Sequence, residues 1–180
     1  MTENHGSQSS KEIALAEWLS PERLAEVDEW IAKYPAEQRQ SAVMRTLMLV
    51  QEQQGEQLGQ HYLPESLMQA VARYLQMPDI AVYEVATFYS LYHLSPTGKH
   101  TINVCRSFAC KLRGSDEIVQ CFKDKLKIST GDTTEDKQFT LREVECLGAC
   151  VGAPVAQIDK QYHESLTPEC LDKLLERYSE

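Results

Sequence analysis

Four cysteines in the second half of the chain carry the strongest chemical signal in this sequence. Cys105 and Cys110 lie in V-C-R-S-F-A-C-K-L-R-G, and Cys146 and Cys150 lie in V-E-C-L-G-A-C-V-G-A-P. The pattern is C-x4-C, then 35 residues, then C-x3-C. Four thiolates from two loops can hold two irons bridged by two sulfides, two thiolates per iron. Zinc is the main rival, although four-cysteine zinc sites favour tighter C-x2-C knuckles. The spacing favours the iron cluster and leaves zinc open. Dithiol catalysis is a weaker reading, since no C-x-x-C occurs. A centre with two histidine ligands fits poorly: His5, His61, His93, His100 and His163 are scattered, and none adjoins these cysteines.

The neighbours of the four sulfurs suit a buried anionic group. Ser107, Ala109 and Ala149 are small, and Gly148 and Gly152 let backbone come close. Loop N–H groups at such positions can donate to sulfur and tune a reduction potential. No acid lies from Lys99 to Ser115, so Arg106, Lys111 and Arg113 surround the first pair uncompensated. These cations either favour the reduced form of a cluster or are ordinary solvated charges. The remaining cysteines read differently. Cys121 falls on the apolar face of a helix as a small hydrophobe, and Cys170 falls in the first turn of the last helix as a free thiol.

The elements that must position these loops follow from periodicity. Both cysteine pairs begin where a strand pattern stops. The run His100 to Cys105 alternates apolar and polar, and Phe139 to Glu145 does so with a slip near Arg142. Pro154 to Ile158 reads as a further strand, with a hairpin return through 161–164. Between the pairs, Gly114 to Lys127 is an amphipathic helix, with Ile118, Phe122 and Leu126 four apart, and Thr167-Pro168 opens a last helix. The order β-α-β-β-α predicts a small α+β domain over 99–180.

Before Ser95-Pro96-Thr97-Gly98, the natural boundary, the signal is helical over 20–95. Ser20-Pro21 caps a first helix that ends at Pro35. A second runs from Glu37 to Gln53 and is broken by Gly55 and Gly59. A third starts at Pro64, and a fourth covers Ile80 to Tyr92 after an Asp79 cap. Phe88, Tyr89 and Tyr92 are more aromatic than one helix core requires and could form an interface. Residues 1–19 read as a disordered or partly helical tail.

Composition excludes several classes. The chain of 180 residues has net charge -9 and pI near 5.1, which disfavours nucleic acid and anionic membrane as direct partners. The charge sits mainly in residues 1–95, which carry 13 acidic and 6 basic side chains. No apolar stretch reaches the ~20 residues that span a bilayer. The N-terminus lacks the apolar core of a secretory signal and the arginines of a transit peptide, so the expectation is a cytoplasmic bacterial protein. There is no G-x-G-x-x-G, phosphate-binding P-loop, H-E-x-x-H or G-x-S-x-G. The chain should therefore bind no nucleotide, flavin or NADH by a standard fingerprint. A carrier that leaves catalysis to a partner fits that gap.

Three motifs, E-V-A-T-F-Y-S at 84–90, V-C-R-S-F-A-C-K-L-R-G at 104–114 and F-T-L-R-E-V-E-C-L-G-A-C-V-G-A-P at 139–154, resemble a known family. L-T-P-E at 166–169 adds to the likeness. The family is the E subunit of bacterial NADH:quinone oxidoreductase (respiratory complex I). The resemblance covers roughly 20–180. It implies a helical bundle followed by a thioredoxin-like [2Fe–2S] ferredoxin domain, with one cluster on Cys105, Cys110, Cys146 and Cys150 and no role for Cys121 or Cys170. It further implies docking on the flavin-bearing subunit that oxidises NADH, electron exchange with its FMN, and contact with other peripheral-arm subunits. It implies no membrane insertion, a place on the cytoplasmic face of the inner membrane, and proton translocation by the assembled enzyme. No catalytic activity is expected of the chain alone. Similar chains serve NAD-linked hydrogenases and formate dehydrogenases, and a non-redox zinc module is the alternative from another class. One departure is the stretch 54–61, longer than the family's usual turn before Leu63-Pro64.

Overall fold

The computed structural model describes residues 13–179. They form two compact units, one of 13–53 with 63–94 and one of 54–62 with 95–179.

The first unit is helical: α1 (Leu15–Trp18), α2 (Pro21–Ile31), α3 (Val43–Leu58, to Gln53), α4 (Glu65–Leu75) and α5 (Asp79–Phe88). Ser20 caps α2 as its sequence predicts, its hydroxyl accepting the Arg23 N–H at 3.4 Å, with Pro21 in the first turn. The core is built on Val27, Leu47, Val50, Leu67, Val71 and Val82, all at or near zero exposure. Truncating one of the leucines to alanine should cost about 2–5 kcal/mol. Gln53 is buried without penalty because both ends of its amide are used. It accepts from the Ser20 N–H at 2.9 Å and donates to the Trp18 carbonyl.

Three expectations are corrected here. Residues 36–42 form a 3-10 turn before α3, kinked at Gln38, and Arg39 ties that turn to the Tyr74 carbonyl at 2.9 Å. Gly55 does not break α3, because it lies within the helix where a Cβ would fall on the His61 ring. It is Gly59, at φ +69°, that follows the helix end. Finally, α5 stops at Phe88, and Tyr92 turns inward. Its hydroxyl donates to the Met44 carbonyl at 2.7 Å, and burial pushes the phenol pKa well up. Tyr92 is thus core. Phe88 (81% exposed) and Tyr89 remain on the surface. Of the tail expected over residues 1–19, 1–12 lie outside the described residues, and Leu15–Trp18 form α1.

The second unit is a four-stranded sheet, β1 (His100–Cys105), β2 (Phe139–Val144), β3 (Ala156–Ile158) and β4 (Gln161–His163), in the order β2-β1-β3-β4. β1 and β2 are parallel, from His100 opposite Phe139 to Cys105 opposite Val144, and the β3–β4 hairpin adds antiparallel to β1. A parallel pair needs a crossover, supplied here by α6 (Phe108–Leu112) and α7 (Ser115–Leu126). Ile102, Val104 and Leu141 share one core with Ile118 and Phe122 of α7 and Leu171 of α8 (Leu171–Glu176). The segment 54–62 joins this unit: the His61 N–H donates to the Thr97 hydroxyl at 3.2 Å, and that hydroxyl donates to the His61 carbonyl at 3.1 Å. The end of the 54–61 stretch is thus tied to Thr97 through His61.

Candidate metal centre

Parallel pairing is what brings the cysteines to one end of the sheet. β1 and β2 run the same way and in register, so the loops that follow them leave from the same edge. Cys105 is the last residue of β1, and Cys146 lies two residues past the end of β2. Cys110 sits in α6, a short helix not foreseen from the sequence, and Cys150 opens a 3-10 turn over Cys150–Gly152. The third loop at this end is the chain from Ala153 to Val155, which leads into β3. The Cys105 N–H donates to the Val155 carbonyl at 3.0 Å.

The two pairs differ in exposure. Cys105 and Cys110 are 2% and 1% exposed, in a small cluster with Ala153 and Val155 against which Leu147 and Ala149 pack. Cys146 and Cys150 are exposed. Burial pushes the Cys105 thiol up, but the Ser107 and Leu147 N–H groups and the Cys110 thiol donate toward its sulfur. The net effect holds it below the ordinary thiol value. Cys110 is pushed up to about 11, by burial first and then by giving its proton toward Cys105; the Val155 N–H opposes this, and negative charge on Cys105 and Cys150 adds to it. The sulfurs of Cys105 and Cys110 are therefore hydrogen-bond neighbours, and Cys150 is within electrostatic reach. On the second loop the Gly148 N–H donates to Cys146 Sγ at 3.4 Å, in a turn that Gly148 makes at φ +76°. Gly152 is needed for space, since a Cβ there would fall on the Glu164 side chain.

Among the described residues, no three Cys, His, Asp or Glu side chains are grouped so as to hold a single metal ion. The donor set nevertheless fits an iron–sulfur cluster: two loops each offer a pair of thiols, small residues leave room, and N–H groups are already aimed at sulfur.

The cations are not uncompensated, as the local sequence suggests. Arg106 meets Glu145 of the second loop at 3.4 Å, Lys111 meets Asp116 at 3.3 Å, and the Arg113 Nε donates to the Ala153 carbonyl at 3.3 Å. The two ion pairs are exposed, and such pairs contribute about 0–1 kcal/mol. Their acids lie outside the stretch from Lys99 to Ser115 and become partners only through the fold. Cys121 is half-buried against the sheet core, and burial raises its thiol. Cys170 is also half-buried against that core, and it caps its own turn, donating to the Thr167 carbonyl at 3.1 Å. Neither joins the centre.

A small sheet with two cysteine loops at one end, preceded by a helical unit, defines a class of redox carrier. Residues 27–179 match the family described as thioredoxin-like [2Fe-2S] ferredoxin, and the chain belongs to that family. It is 47% identical over 149 residues to the E subunit of the NADH-quinone oxidoreductase of Rickettsia felis, spanning 83% of this chain and 86% of that protein. It is 40% identical over 159 residues to NADH dehydrogenase [ubiquinone] flavoprotein 2, mitochondrial, of Dictyostelium discoideum, covering 88% of this chain and 62% of that one. In shape it is similar to a chain of an NAD+-reducing [NiFe]-hydrogenase in the air-oxidized state, with TM-score 0.56 and 15% identity, over 93% of this chain and 24% of the other. That likeness speaks to the fold alone.

Proposed function

We propose that the chain is the electron-transfer subunit of an NADH:quinone oxidoreductase, with one [2Fe–2S] cluster on Cys105, Cys110, Cys146 and Cys150. The observation that carries this is the delivery of both cysteine pairs to one end of the sheet by parallel, in-register strands, in a chain 47% identical to such a subunit over most of its length. When bound, the cluster supplies a store for one electron. The chain's own residues do the rest. Cys105 and Cys110 hold their side of the group in a buried, preformed pocket. The Ser107, Leu147 and Val155 N–H groups aim at the Cys105 and Cys110 sulfurs and favour thiolate over thiol there, and the Gly148 N–H donates to the Cys146 sulfur. Leu147, Ala149, Ala153 and Val155 keep water from the buried pair. Ligation requires the Cys110 proton to leave, so loading should release protons.

The partner in this reading is the subunit that binds FMN and NADH, within a peripheral arm of further subunits that together couple electron transfer to proton translocation. Phe108, Leu112 and Val151 are 71–96% exposed at the cysteine end of the second unit, an apolar rim suited to a protein surface. In the first unit, Ile80, Tyr83 and Phe88 of α5 are 47–81% exposed. Among the described residues no helix is long and apolar enough to cross a membrane; in this reading the chain is held at the cytoplasmic face through the complex.

The test is iron and acid-labile sulfide per chain in anaerobically purified protein, with EPR before and after dithionite. Two irons and two sulfides, silent when oxidised and giving a spin-one-half signal when reduced, are expected. Colourless protein with one zinc and no sulfide would overturn the assignment.

A further inference from the structure

We infer that Arg113 is a positioning residue that locks the register of the two cysteine loops, acting through a directed hydrogen bond rather than as a nearby charge. The inference rests on the cluster assignment above. Arg113 ends α6, three residues after Cys110, and its N–H donates to the Cys110 carbonyl at 3.1 Å. Its side chain reaches across to the second loop, where Nε donates to the carbonyl of Ala153, three residues after Cys150, at 3.3 Å. One residue thus joins the helix that carries the second ligand to the strand entry that follows the fourth.

Two further contacts share that entry segment. The Cys105 N–H donates to the Val155 carbonyl at 3.0 Å, and the Val155 N–H is aimed at the Cys110 sulfur. Arg113, Cys105 and Cys110 therefore hold 153–155 from three directions, and Ala153 and Val155 form the lid that buries both thiols. Of the three, only the Arg113 contact has a side-chain donor. The other cations near the first loop lack this geometry: Arg106 and Lys111 end on exposed carboxylates. A guanidinium Nε donates in a fixed plane set by the side chain, whereas an ammonium is a rotating point charge. Lysine at 113 would keep the charge and lose the directed bond, which makes the inference separable from simple electrostatics.

The experiment uses the full chain as wild type, Arg113→Lys, Arg113→Ala and, as a control that deletes a neighbouring cation, Lys111→Gln. Three readouts are taken: the rate of iron loss to a chelator, the EPR line shape and midpoint potential of the reduced cluster, and the alkylation rate of Cys105 and Cys110 in metal-free protein by peptide mass spectrometry. Arg113→Lys should lose iron about tenfold faster, broaden the EPR signal, and raise alkylation of Cys105 and Cys110 but not of Cys146 or Cys150; Arg113→Ala should match it. Lys111→Gln should behave as wild type. If Arg113→Lys matches wild type while Arg113→Ala and Lys111→Gln both shift the potential, Arg113 acts as a charge and the inference is overturned. Wild-type behaviour of both Arg113 variants overturns it as well. Loss of fold in Arg113→Ala leaves the decision to Arg113→Lys. A wild type without iron or sulfide would sink the cluster assignment itself, and a potential or line-shape null in iron-loaded variants would sink only the role of Arg113.

Discussion

The two cysteine loops have the same ligands to offer and opposite surroundings. The first comes off a strand into a short helix, and its thiols are buried, hydrogen-bonded to each other and served by N–H donors. The second turns through Gly148 and a single 3-10 turn, and both its thiols face solvent. One side of the site is built by packing before any cofactor arrives. The other is shaped by backbone turns that close cheaply and stay accessible. The difference teaches that identical ligand residues need not have equal structural weight. On the proposed ligand set, removing a thiol from the first loop should damage both the packed core and the cluster site, and removing one from the second should damage the cluster site alone.

That contrast can be broken or sharpened by substitution. The largest effect should come from Cys105→Ser, which removes a ligand and leaves a hydroxyl in a pocket arranged for a thiolate. Cluster content measured as iron and sulfide should fall to background, and thermal unfolding should move down. Cys146→Ser should also lose or destabilise the cluster, but the metal-free protein should unfold as wild type does. Equal destabilisation of the two metal-free variants would erase the contrast, and normal cluster content in either would remove that cysteine from the ligand set.

Next in size is Gly152→Ala, where the added methyl meets the Glu164 side chain. Overpacking of this kind costs about 1–3 kcal/mol, read from denaturant midpoints. Adding Glu164→Gly, which also removes the Glu164 Cβ that the new methyl would meet at 2.6 Å, should recover most of it, and failure of that rescue would show that backbone conformation at 152 matters more than space.

Phe88→Ala lies in the other unit and should leave cluster content untouched. It should weaken co-purification with the flavin subunit, by roughly 1–2 kcal/mol if Phe88 anchors that interface. Unchanged co-purification would leave its exposure unexplained by docking. The smallest effect is expected from Cys121→Ala, which should keep iron, sulfide and EPR signal at wild-type levels. A lost or altered signal would bring a fifth sulfur into the site.

Much of this was legible in the sequence where local pattern and tertiary demand agree. β1 reads as alternation because Ile102 and Val104 face a helix-packed core while Asn103 sits half-buried between them. The pattern of β2 slips near Arg142 because Arg142 and Glu143 are both only half-buried, ahead of the buried Val144, while Phe139, Thr140 and Leu141 are all buried. Thr140 is accommodated by accepting the Gly98 N–H at 2.7 Å and pairing with the Thr133 hydroxyl at 2.8 Å. α6 escaped because a five-residue helix with exposed Phe108 and Leu112 shows no apolar face to read.

Gly55 misled because a helix breaker by propensity is also the one residue that lets His61 approach. At the candidate site, spacing singled out four cysteines, and the fold brings both pairs to one end of the sheet. Their unequal burial, and the acids that meet Arg106 and Lys111, depend on contacts between segments distant in the chain or on the next turn of helix. Periodicity holds no information about either.

The in-register parallel pairing of β1 and β2 also sets the order in which the molecule can be made. Their pairing cannot begin from a tight hairpin; the crossover must be traversed first, and such non-local closure is slow relative to helix formation. The expected sequence is therefore early helices, then sheet, then a completed sulfur site, so that loading is a late maturation event acting on an almost finished chain. Pulsed hydrogen exchange during refolding should find α4 and α7 protected before β1 and β2. Simultaneous protection of strands and helices would mean that the site assembles with the fold rather than after it.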